Sequence, residues 1–172
     1  MTSSELFNVM SPALAAEIFE YLHAEEREFY KTALDAVAKL RKVRTVFLER
    51  QPKQERFEAL KTSLARPNMS MVADNLIRAW LLKRHSALLG DFLDALGIRH
   101  EKGVVDDLPK SVEEAPLRNA VELCLEKYGV EPTAVYLHAF NSMNDAKWAS
   151  LDALLQSEPR LKLPTAQPAH SP

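Results

Sequence analysis

Seven cations fall within eighteen residues of this chain: Lys39, Arg41, Lys42, Arg44, Arg50, Lys53 and Arg56, offset only by Glu49 and Glu55. Side chains of this type attract anions, so the stretch is expected to meet an acidic protein, a nucleic acid or a phosphorylated ligand. On a helix Lys39 would neighbour Lys42, and Arg41 would neighbour Arg44, because residues three apart share a face. Only Phe47 and Phe57 interleave with these charges, which disfavours stacking of single-stranded bases. The plainer reading is a solvated face, or one that docks inside the molecule against the acidic stretch 17–28 or against Asp106 and Asp107.

Three other constellations have the types for chemistry. Glu20 and His23 form an E-x-x-H pair, half of the arrangement that di-metal bundles build from two such motifs and two further glutamates. None of His85, His100, His138 and His170 has a glutamate three residues earlier. The pair therefore reads as surface residues, and no metal or cofactor is expected. His138 lies in the apolar run Val135-Tyr136-Leu137-His138-Ala139-Phe140, where a core imidazole needs a hydrogen-bond partner such as a carbonyl. Cys124 occupies the apolar face of its segment and reads as a structural thiol.

Several chemistries are excluded. Only four glycines occur, all separated, so neither a phosphate loop nor a dinucleotide fingerprint can form. No G-x-S-x-G elbow is present. Residues 92–98 resemble the turn of a helix-turn-helix, but the recognition helix at 99–107 would carry Gly103, three acids and two fixed positive charges. That composition does not suit DNA phosphates.

The elements that position these residues are expected to be helical throughout. Ser11-Pro12 reads as an N-cap with proline at the first helical position. From there Leu14, Ile18, Leu22, Phe29, Ala33, Ala36, Leu40 and Phe47 hold one face, interrupted by the polar run 23–28, which predicts helices near 12–25 and 27–44. Residues 43–48 are β-branched enough to be extended instead. Phe57, Leu60 and Leu64 mark a short helix. Val72, Leu76, Trp80, Leu81, Leu88, Leu89, Phe92, Leu93 and Leu96 predict one long central helix over 70–96, closed by a left-handed Gly97 with Ile98 folding back on Leu93. Helices over 116–128, 132–143 and 145–156 follow. The expected architecture is all-α: an irregular bundle of six or seven helices around the central one, a single domain over 1–160 and a mobile Pro-rich tail over 161–172.

At 172 residues, 47% hydrophobic and 27% charged, the chain can bury one real core. Its formal charge of −2 conceals a segregation. Residues 1–30 carry a net −5 and residues 31–66 a net +6. A lone cysteine precludes an intramolecular disulfide and a cysteine-rich zinc site. No apolar run approaches a membrane span, and the first 26 residues hold no Lys or Arg, so a cytoplasmic protein without membrane contact is expected. The expected function is a non-catalytic helical protein-interaction or regulatory module that meets a protein partner through either its basic segment, which suits an acidic partner, or an exposed apolar groove. The alternative is binding of nucleic acid or another polyanion through 39–56, and the third reading is a metal-dependent enzyme using Glu20, His23 or His138.

Overall fold

The computed structural model describes residues 1–163; the part of the expected tail from 164 onward lies outside the described residues. Among the described residues the fold is all-α, with ten α-helices, two 3₁₀ turns and no strand. They form two compact units, 2–80 and 81–163.

The first unit opens with α1 (Ser3–Val9), which the sequence reading did not anticipate. A capping box secures it. The Glu5 amide donates to Thr2 Oγ1 at 3.3 Å, while the Thr2 amide donates to Glu5 Oε2 at 2.6 Å. Helix α2 (Pro12–Glu25) starts as expected, with the Leu14 amide donating to Ser11 Oγ at 3.1 Å. It stops at Glu26, where α3 (Arg27–Leu40) begins. Then come α4 (Thr45–Arg50), α5 (Lys53–Leu64), the 3₁₀ turn Pro67–Met69 and α6 (Ser70–Arg84), which crosses the boundary between units. Helix α5 packs against α1, α2 and α3, and the shared interior holds Leu6, Phe7, Ile18, Phe19, Leu22, Val37, Leu60 and Leu64 with no exposed surface. Each such side chain contributes roughly 1.5–3 kcal/mol by leaving water. Phe7 stacks on Phe19 with ring centroids 5.7 Å apart, and Phe57 tilts against Phe19 at 5.4 Å.

Residues 81–163 build the second unit from α7 (Ser86–Ala95), α8 (Glu114–Tyr128), α9 (Val130–Met143), α10 (Ala149–Ser157) and the 3₁₀ turn Pro159–Leu161. Helix α8 packs on α7, α9 and α10. Phe92, Tyr136, Phe140 and Trp148 form a chain of edge-on and tilted rings with centroids 5.2–5.8 Å apart; such pairs add about 0.5–1.5 kcal/mol each beyond burial. Gly97 adopts φ +68°, and the Ile98 amide donates back to the Leu93 carbonyl at 2.9 Å. That is the expected helix stop.

Three differences from the sequence reading have physical causes. The helix expected over 70–96 is two helices, broken at His85 (φ −117°, ψ 27°). Lys83, Arg84, His85 and Ser86 supply no apolar side chain to hold the face through that turn. The apolar stripe also loses phase. Breaks at Glu26 and at 41–44 restart the helix, so Tyr30, Ala33, Leu34, Val37 and Ala38 are buried while Phe29 and Phe47 are 39% and 54% exposed. Leu48, not Phe47, enters the core from α4. Finally, Leu161 and Leu163 are buried, so the packed part of the second unit continues beyond residue 160.

Candidate functional site

The basic segment lies wholly within the first unit, spread over three helices and their turns. Lys39 is in the last turn of α3, Arg41 caps its end, and Lys42 turns the chain with φ +56°. Arg44 precedes α4 and Arg50 ends it, whereas Lys53 and Arg56 stand in the first turn of α5. Six of the seven are exposed, and Arg56 is half-buried.

These cations have different surroundings. Lys53 forms an ion pair with Glu20 and stands 5.8 Å from the Phe57 ring centroid, so one contact to the acidic 17–28 stretch exists as anticipated. Arg41 donates to Ser63 Oγ at 3.5 Å. Both Lys53 and Arg41 line an open groove of about 950 Å³ between α2 and α5. Arg56 donates from Nη1 to the Glu49 carbonyl at 3.0 Å and faces a different pocket. Lys39, Lys42, Arg44 and Arg50 make no ion pair with any described residue.

Between Arg44 and Arg50 the short helix α4 carries Val46 and Phe47, 50% and 54% exposed. With only one and a half turns, α4 can point a single apolar residue, Leu48, at the core. A hydrogen bond from Thr45 Oγ1 to Asp35 Oδ1 at 2.8 Å fixes its start against α3. Sequence reasoning placed Phe47 inside and did not single out Val46. The signal that finds them is the turn at 41–44, which removes α4 from the phase of α3.

Glu20 is engaged by Lys53 on one groove, while His23 sits edge-on to Tyr30 at 4.8 Å in another pocket. No group of three or more His, Cys, Asp or Glu side chains suited to one metal ion occurs among the described residues. His138 is buried, and its Nε2 bonds the Leu161 carbonyl at 2.9 Å. Burial lowers its pKa, partly opposed by that carbonyl. The Cys124 thiol is fully enclosed and pushed up to about 12, chiefly by burial, with the Asp91 charge adding. His100 Nε2 meets Asp94 Oδ1 at 2.9 Å, and its Nδ1 accepts from the Gly103 amide at 3.1 Å, which folds the connector after α7. The stretch 99–107 forms no helix, so nothing there could occupy a major groove in the helix-turn-helix manner. His170 lies outside the described residues.

In the second unit Asp91 on α7 accepts from Lys127 Nζ at 2.6 Å and from the Tyr128 hydroxyl at 2.5 Å, both on α8. Those two bonds hold the Asp91 carboxyl below its ordinary pKa. Arg160 is clasped between Glu122 and Glu158. These contacts tie neighbouring elements of the second unit together. No helix among the described residues is long and apolar enough to cross a membrane. No protein-family model, curated protein or solved structure matches the chain.

Proposed function

We propose that the protein is a non-catalytic helical interaction module. Its docking surface is the α3–α4 corner, where Val46 and Phe47 stand among Lys39, Lys42, Arg44 and Arg50, and it takes an acidic partner segment that also carries apolar side chains. The observation that supports this is the pairing of two half-exposed apolar residues with four cations that have no ion-pair partner among the described residues. Aromatic and arginine side chains dominate the energetics of protein interfaces. Flanking charge chiefly speeds encounter and selects the sign of the partner.

Binding of nucleic acid or another polyanion is the second reading of the same surface. It needs the charges but not the apolar pair, and that difference separates the two. Fluorescence anisotropy on the full chain with peptides alternating Asp or Glu with Leu or Phe, compared with polyglutamate, heparin and single-stranded RNA, makes the distinction. The alternating peptides are expected to bind best. The double substitution Val46→Ser with Phe47→Ser should weaken them at least about tenfold, since a buried Phe alone is worth roughly 1.5–3 kcal/mol. Charge reversal at Lys42, Arg44 and Arg50 should weaken every ligand. If heparin or RNA binds as tightly and ignores the apolar substitutions, the polyanion reading replaces this one. If nothing binds at low salt, neither reading survives.

A further inference from the structure

A second opening in the same unit is separate from the exposed α4 pair. It is a pocket of about 470 Å³ between the end of α2, the face of α3 and the α4–α5 pair. Arg27, Tyr30, Lys31 and Leu34 line it from successive turns of α3, the spacing that puts residues on one helix face. Arg56 closes it from α5. Arg27 and Lys31 make no ion pair among the described residues. Tyr30 is only 6% exposed, and its enclosed hydroxyl lies beside the Arg56 guanidinium, yet neither that hydroxyl nor the enclosed Nε of Arg56 makes a hydrogen bond of proper geometry. Buried polar groups of this kind are normally satisfied, because an unmet donor forfeits its hydration without return. Arg56 already spends Nη1 on the Glu49 carbonyl, which anchors the guanidinium and leaves Nε for another acceptor.

We infer that this pocket binds a small molecule through an oxyanion, a phosphate or carboxylate group, held by Arg27, Lys31 and Arg56 with the Tyr30 hydroxyl donating. Charge-assisted hydrogen bonds from a guanidinium, an ammonium and a phenol to one oxyanion are the strong members of their class. Glu28 and Glu49 also line the pocket, leaving an excess of one positive charge. The site therefore favours a compact anion over a polyanion. Leu34 and the ring of His23 provide apolar wall for the body of the ligand. The inference is independent of the docking surface, because Val46 and Phe47 are not part of this pocket.

The test is an amide NMR titration of the full chain with sodium phosphate and, separately, sodium acetate, each matched by sodium chloride at equal ionic strength. Saturable shifts confined to residues 27–34 and 49–56 with either oxyanion are expected, and the probe that saturates at lower concentration assigns the ligand class. Tyr30→Phe should change the thermal midpoint little, since the hydroxyl it removes makes no internal hydrogen bond of proper geometry, and should weaken binding several-fold. Lys31→Gln, at an exposed position that tolerates substitution, should weaken it about tenfold. Val46→Ser with Phe47→Ser should leave it intact. Shifts that never saturate, or that chloride reproduces, overturn the assignment, as does undiminished binding by both Tyr30→Phe and Lys31→Gln.

Discussion

His85 interrupts the helical run between α6 and α7, and burial together with the Arg84 charge holds its pKa down at about 4. Above pH 6.5 the imidazole is neutral whether the chain is folded or not. As the pH falls below 6.5 the unfolded chain takes up a proton that the folded one refuses, so stability is lost progressively between pH 6.5 and pH 4. Urea unfolding at pH 7.5 and pH 5 should show the wild type losing about 1–2 kcal/mol more than His85→Gln, which cannot titrate. Equal losses in the two proteins would mean that another group governs acid sensitivity. His138 is lowered in the same direction by burial, so His85→Gln should reduce this sensitivity without abolishing it. Cys124, with its thiol at about 12, stays protonated and unreactive across the same range. Residue identity hinted at two of these states. The His138 and Cys124 environments follow from apolar neighbours in sequence, whereas the position of His85 at a helix break does not.

At the scale of elements, the connector between α7 and α8 shows how a stretch without helix is kept in place. Trp148 Nε1 donates to the Pro109 carbonyl at 2.7 Å, and Ser150 Oγ donates to the Val112 carbonyl at 2.8 Å. Nearer α7, Gly103 has φ +85°, and a Cβ there would stand 2.5 Å from Leu89 Cβ, so the chain closes on α7 at a point only glycine permits. Trp148→Phe keeps most of the buried ring and deletes the first tether. It should cost roughly 1–3 kcal/mol and speed tryptic cleavage at Lys110 under native conditions. Cleavage at the wild-type rate would show that Ser150 and the packing of α10 suffice. Little of this was legible beforehand. Gly103 and Pro109 punctuate the connector, but its tethers reach across 38 and 39 residues of chain, beyond any local pattern.

Across the whole chain, charge is segregated far more than the net value of −2 implies. Residues 31–66 carry +6, and seven of their cations, Lys31, Lys39, Arg41, Lys42, Arg44, Arg50 and Arg66, are exposed without an ion-pair partner among the described residues. The protein is therefore expected to be retained on a cation exchanger at pH 7 and low salt despite its negative total. It should elute as ionic strength approaches about 0.1 M, where the screening length shrinks to about 10 Å. Lys42→Glu with Arg44→Glu and Arg50→Glu should flow through. Retention of that triple variant would place the positive field elsewhere on the molecule.

The helical class, the start at Ser11-Pro12, the stop at Gly97-Ile98 and the three helices after residue 113 were all readable from the amino acids. Caps and apolar periodicity act over three to five residues, so local order carries them. The break at His85, the outward turn of Val46 and Phe47, and the meeting of Arg27, Tyr30, Lys31 and Arg56 were decided by tertiary structure. A helix that restarts resets the phase of every side chain after it, and whether a buried donor finds a partner depends on residues brought near only when distant helices pack.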